Sequence, residues 1–395
     1  IDALAARGVR LTGFHTTAMC STTRAALLTG CNHHRVGMGC LANFDSGYPG
    51  YRGKIAPEAA TLPEMLRPHG YANYMVGKWH VTPLTQSGPT GPFDGWPLGR
   101  GFDRYYGFMD AETDQYAPEL VRDNTHVTAD GTYWTGYHLT EDLVDQAINW
   151  IDRVSVSSPG KPFFCYLPTP AVHAPHHAPR EWIDKFAGQF DAGWDALRAE
   201  IFQRQIDLGV IPADTELTPR PEEIASWDEY PDRYKPVASR LMEAFAGFLA
   251  HTDHHIHRLL TSLEERGMLD NTLVFYITGD NGASGEGSLH GAWSAPSFQN
   301  GRPEDPEWLL EHMDDFGSAD CENHYNYPWA WALDSPFQWM KQVASHFGGT
   351  RNAMAVSWPK GITDAGGLRT QFHHVVDIAP TIYEACGITQ PSSVN

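Results

Sequence analysis

The sequence predicts an α/β fold, with a mostly parallel central sheet flanked by helices. Three observations carry this reading. Short apolar, β-rich runs recur along the chain without polar alternation, as strands buried on both faces require. Helical patterns with one apolar stripe lie between them. Each run ends directly in a polar loop bearing glycine or histidine, and in such folds chemistry gathers outside the carboxyl ends of the strands.

In chain order, CSTTRAALLTG (20–30) reads as a helix starting near Cys20. YANYMV (71–76) is a strand running into GKWH (77–80). EDLVDQAINWIDRV (141–154) places Leu143, Val144, Ala147, Ile148 and Ile151 on one stripe, with Thr140 as N-cap. FFCYLPTPAV (163–172) is a strand running into HAPHHAP. RLMEAFAGFLAHTDHHIHRLLTSLEERG (240–267) is a helix carrying Phe245, Phe248, Leu249, Ile256, Leu259, Leu260 and Leu263, with Gly267 as C-cap. NTLVFYIT (271–278) is a strand running into GDNG, and PTIYEACG (380–387) is a helix with Pro380 at its first position.

Residues 175–240 and 292–336, rich in Trp and Pro, show no strand signal and read as insertions shaping substrate access. The start, IDALAARGVRLTGF, reads as mid-helix leading to a strand, and the end, ITQPSSVN, as a loop. The expectation is a catalytic unit spanning 1–395 and cut at both ends.

Composition narrows the partners. With 28 Lys and Arg against 48 Asp and Glu, the formal charge is −20. Nucleic acid and anionic membranes reward a basic face and are disfavoured. An anionic substrate must be held by a local group of cations. The six cysteines show no CxxC spacing, which argues against a zinc ribbon or a disulfide scaffold. No apolar run reaches membrane-spanning length.

Five constellations carry candidate chemistry. Cys20 and Arg24, four apart at a helix start, share a face where free N–H groups favour an anion. The alternative is a buried structural cysteine beside a surface arginine. Lys78 and His80 point the same way at a strand end and suit anion binding and proton transfer, or form a plain strand-end pair. His173, His176 and His177 sit in a loop stiffened by prolines. His173 lies nearest the strand, with the other two at the rim. Asp280 and Asn281 are hard oxygen donors suited to Ca²⁺ or Mg²⁺, or simply a turn. Lys341, His346 and Arg351 flank a glycine pair and are candidate anion contacts.

Together these motifs resemble the sulfatase family, arylsulfatase type, within the alkaline-phosphatase-like superfamily. CSTTRAALLTG resembles the family signature C-x-P/A-x-R with its following helix. GKWH, the His-Ala-Pro loop and the strand plus Asp-Asn-Gly match in order. CNHHRVGMG (31–39), GRGFDRYYGF (99–108) and QFHHVVDIAPTIYEACG (371–387) extend the likeness over nearly the whole chain.

The resemblance implies hydrolysis of a sulfuric ester, in a small molecule or glycan, through a formylglycine made from Cys20 by a maturation enzyme. It implies that Arg24 steadies the aldehyde hydrate, that Lys78 and Lys341 bind sulfate oxygens, and that His80 contacts the formylglycine hydroxyl. His173 would serve the leaving-group oxygen. Position 20, Asp280 and Asn281 would ligate calcium, with magnesium second. Three departures stand out. Thr22 occupies a position, read by the maturation enzyme, where the family prefers Pro or Ala. The family's early Asp pair on its first strand is missing, and little of a small C-terminal domain follows. Lys341 lies one residue further from its glycine pair than usual. Two other readings are a phosphonate monoester or phosphodiester hydrolase of the same superfamily, and a non-catalytic anion-binding homologue.

Overall fold

A computed structural model describes residues 1–302 and 304–390, leaving aside the side chains of Phe298 and Gln299. Its strands are β1 (Val9–Leu11), β2 (Phe14–His15), β3 (Ala72–Lys78), β4 (Arg104–Phe108), β5 (Leu120–Arg122), β6 (Thr125–Val127), β7 (Phe163–Tyr166), β8 (Val274–Ile277), β9 (Met354–Ser357), β10 (Gly367–Arg369) and β11 (His373–His374). The longer helices are α1 (Cys20–Thr29), α2 (Leu139–Ser157), α3 (Gly193–Asp207), α4 (Lys235–Glu265), α5 (Tyr327–Leu333) and α6 (Ile378–Ala385).

Among the described residues one sheet has the order β6-β5-β4-β3-β7, a second β10-β1-β9-β8, and a short third β11-β2. The α/β class is as expected. The parallel character sits at β4-β3-β7, where Tyr74 pairs with Arg104 and Ala72 with Phe163. β5 and β6 turn back antiparallel, because the short link at Asp123–Asn124 has no room for a crossover. The second sheet is mixed: β1 is parallel to β10 and antiparallel to β9.

β3 is buried at every position, including Asn73 and Lys78. β7 and β8 are only half-buried throughout, contrary to the expectation from sequence. Each is the last strand of its sheet, so its outer side has no paired neighbour among the described residues.

Helix bounds shift in three places for identifiable reasons. His138 rather than Thr140 caps α2, its side chain accepting from the Thr140 N–H. α4 begins at Lys235 with Pro236 in its first turn, earlier than the apolar pattern suggested. Arg266 is its C-cap, and Gly267 follows at φ 64° while the Met268 N–H reaches Leu263 O at 2.9 Å. α6 starts at Ile378, directly after a 3₁₀ turn, which makes Pro380 its third residue.

Three apolar cores underlie the sheets. One packs α1 and α6 with β1 and β9, and another packs α2 on β3 and β4. The two stretches read as insertions share the remaining core, where Trp194 lies edge-on to Trp227 and Trp329, with centroids at 4.6 and 5.7 Å. Buried Arg198 ties them, lying 4.2 Å over the Trp331 ring and donating to Trp331 O. Residues 391–395 of the terminal loop lie outside the described residues. No described helix is long and apolar enough to cross a membrane.

Candidate active site

α1 opens on Cys20, after Met19 in extended conformation. Hydroxyls hold this entry. The Thr17 N–H donates to Thr23 Oγ1 at 3.0 Å, and Thr22 Oγ1 donates to Met19 O at 2.8 Å. Every α1 residue is buried, so the helix start is fixed rather than frayed. One turn on, Arg24 is 4% exposed. Its Nε donates to Asp280 Oδ2 at 2.8 Å, its Nη2 lies 2.7 Å from the same oxygen, and its Nη1 donates to Lys78 O. Burial alone would lower this guanidinium's pKa, but Asp280, Tyr166 and Cys20 outweigh it and hold the group above the usual range. Thr23 Oγ1 donates to Asp280 O at 2.7 Å. The Cys20 helix and the loop after β8 are therefore locked together.

The loop after β3 meets them. Gly77 has φ 125°, and a Cβ there would lie 2.2 Å from Pro168 O, so only glycine lets β3 approach the chain leaving β7. Lys78 is buried, and burial lowers its pKa, with Cys20 opposing and Arg24 assisting. Trp79 anchors the turn, its Nε1 donating to Thr82 Oγ1 at 2.9 Å. His80 sits at φ 51°, a left-handed conformation uncommon outside glycine and typical of sites that need a side chain aimed. Its Nδ1 lies 3.1 Å from Cys20 Sγ. Burial first, then Lys78 and Arg24, holds His80 well below the usual histidine range, so the ring is neutral at pH 7.

The loop after β7 supplies His173. The Ala174 carbonyl can only accept, so His173 Nδ1 donates to it at 2.8 Å, and Nε2 faces Lys341 Nζ at 3.2 Å. Lys341 also pairs with Glu286 Oε2 at 2.5 Å. Burial, then Lys341 and Lys78, keeps His173 well below the usual histidine range. Lys341 outweighs the burial of Glu286 and keeps that carboxylate's pKa low.

Contacts thus link Cys20, Arg24, Asp280, Lys78 and His80, and separately His173 with Lys341. Charge coupling of Lys78 to Cys20 and to Lys341 joins the two sets. Other candidates fall elsewhere. His176 and His177 are buried, not rim residues: His176 stacks on Tyr325, and His177 Nε2 donates to Cys321 O. Arg351 spends its guanidinium on Thr12 O at 2.7 Å, and His346 pairs with Ser345 Oγ at 2.9 Å. Asn43, Asp110, Glu112 and Glu286 were not foreseen. Asn43 Oδ1 lies 2.8 Å from His80 Nε2, and Glu112 Oε2 lies 3.6 Å from His173 Nδ1. They occupy irregular loops, where no periodicity singles out a residue.

Asp280 and Asn281 do not by themselves fit a calcium ion. Calcium takes six to eight oxygens. Asp280 is engaged by Arg24, and the Asn281 amide donates to Gly282 O. Among the described residues no group of three or more His, Cys, Asp or Glu side chains is placed to hold a metal. Position 20 does suit a modified nucleophile, being buried at a helix start beside a neutral histidine and two cations.

The family model "Sulfatase" matches residues 1–388. An uncharacterized sulfatase of Schizosaccharomyces pombe is 33% identical over 99% of this chain and 71% of its own length. An arylsulfatase of Klebsiella aerogenes is 28% identical over 100% of this chain and 82% of its own. Among solved structures, Ps i-CgsB in complex with k-i-k-neocarrahexaose superposes with a TM-score of 0.62 at 19% identity, covering 99% of this chain and 66% of the solved one. At that identity the likeness shows the fold, and this chain spans about two thirds of the solved one.

Proposed function

The chain belongs to the sulfatase family, and from that premise we propose that it hydrolyses a sulfuric ester of the arylsulfatase type at the site built on Cys20. The carrying observation is the placement of Cys20 Sγ at the buried start of α1, 3.1 Å from the neutral ring of His80. Once Cys20 is converted to formylglycine, one hydroxyl of its hydrate would attack sulfur and displace the alcohol or phenol, and deprotonation of the second would reform the aldehyde as the C–O bond to sulfate breaks.

This chain's own residues do the rest. Arg24, rigid in its pair with Asp280, brings fixed positive charge to position 20. Lys78 and Lys341 offset sulfate's negative charge in a protein whose overall charge is −20. His80 accepts a proton at Nδ1 from the position-20 side chain. His173 Nε2, beside Lys341 Nζ, serves the oxygen that leaves sulfur. Asp280 and Asn281 would supply two of a calcium ion's six to eight oxygens, too few to hold it alone, and a bound ion would add positive charge there.

Mass spectrometry of the tryptic peptide LTGFHTTAMCSTTR, from protein co-expressed with a formylglycine-generating enzyme, should show formylglycine at position 20 despite Thr22. That protein should cleave an aryl sulfate faster than an aryl phosphonate. The Cys20→Ala variant should lose turnover and keep its melting temperature. Wild-type turnover by Cys20→Ala defeats the reading.

A further inference from the structure

Histidine 80 makes hydrogen bonds at both ring nitrogens, and only one of them faces Cys20. The other, Nε2, meets Asn43 Oδ1 at 2.8 Å. Asn43 in turn places its Nδ2 at 3.2 Å from Asp110 Oδ1. An ionised carboxylate can only accept, so Asp110 takes the amide's N–H and turns the amide oxygen toward His80. That oxygen can only accept as well, so Nε2 carries the hydrogen. His80 is 1% exposed, and in a neutral imidazole a hydrogen at Nε2 leaves the lone pair at Nδ1. Nδ1 is the nitrogen 3.1 Å from Cys20 Sγ.

The chain of constraints is anchored at both ends. Asp110 Oδ1 also accepts from the Ala111 N–H at 2.6 Å, which fixes the carboxylate. The Ala42 N–H, next to Asn43, donates to Ser21 Oγ at 3.0 Å, and Ser21 is fully buried in the first turn of α1. The loop that sets the ring is thus fastened to the helix that carries the nucleophile's position. Neither Asn43 nor Asp110 hydrogen-bonds to Cys20, and their polar link to it runs through the ring.

We propose that Asn43 and Asp110 are positioning residues that fix His80 in its Nε2–H tautomer and so aim the Nδ1 lone pair at position 20. The role rests on the sulfatase reading above, in which Nδ1 accepts a proton from position 20. A ring with the hydrogen at Nδ1 would present a donor there and accept nothing. When Nδ1 does take the proton, the ring carries N–H at both nitrogens and Asn43 Oδ1 goes on accepting at Nε2, so nothing else need move.

The test reads tautomer and kinetics separately. Long-range ¹H–¹⁵N correlation spectra of histidine-labelled protein, with Cys20 unmodified and no substrate, should show His80 as Nε2–H. Asn43→Leu should show a mixture or the Nδ1–H form. In matured protein Asn43→Leu should lower kcat for an aryl sulfate at least tenfold with KM within about threefold. Should Asn43→Leu not fold, Asp110→Ala, which removes the acceptor behind the amide, should mix the tautomers. Nδ1–H in the wild-type protein, or unchanged Nε2–H in both single variants, overturns the proposal. Because the tautomer arm needs no turnover, absence of sulfate hydrolysis by the wild type would count against the sulfatase reading alone.

Discussion

Arg24 is the residue on which two neighbours depend, since its guanidinium serves both the Asp280 carboxylate and the Lys78 carbonyl. Arg24→Ala leaves a carboxylate and a carbonyl short of their partner in a largely desolvated setting. The expected cost is about 3–5 kcal/mol, read as a lowered urea midpoint, with turnover lost as well. Arg24→Lys should rescue little, because one ammonium cannot reproduce the fork that reaches two loops. Sequence position singled out Cys20, Arg24, Lys78, His80 and Asp280 as candidates, the family resemblance lent them roles, and the structure brings the five together. Each stands at a helix start or just past an apolar run, where the fold itself marks the spot. Glu286 and Glu112 carry no such marker, and only the folded loops bring them to Lys341 and His173.

At the scale of elements, β3 decides where the site's first loop begins. Gly77 sits against Pro168 O with no room for a methyl group and at a φ of 125°. Gly77→Ala should cost about 2 kcal/mol or more, through a forced shift of β3 and a strained backbone. It should also lower kcat, since Lys78 and His80 follow directly. A urea titration and steady-state kinetics on one preparation check both. If stability falls while kcat holds, the strand tolerates the shift without passing it to the loop. The sequence told β3 from its surroundings because YANYMV is short, rich in aromatic and apolar residues and ends directly in a glycine loop. It could not tell β7 and β8 from β3, because an apolar run looks the same whether its neighbour is present or not. Helix bounds moved for a related reason: a histidine cap at His138 does not belong to the usual Ser, Thr, Asp and Asn vocabulary.

For the molecule as a whole, acid is the predicted weakness. Burial lowers His138 to about 3, His255 to about 4 and His324 to about 4. His176 falls well below the usual range for the same reason, then through His324. With folded pKa values below the unfolded 6.5, the unfolded chain binds more protons, so stability is full above pH 6.5 and drains as pH falls toward 4. Each such histidine removes up to about 1.4 kcal/mol per pH unit in that window. Melting temperatures should be flat from pH 7 to 8 and drop steeply between 6.5 and 4. A flat profile through that window would mean that these rings charge without opening the fold. At the same scale stand the half-buried outer strands, FFCY of β7 and VFYI of β8. Neither holds a charge, a proline or a bulge. Lys161 and Pro162 precede the first, and Asp270 and Asp280 bracket the second at a distance. Among the described residues each leaves one side unpaired, the place where a further strand would add.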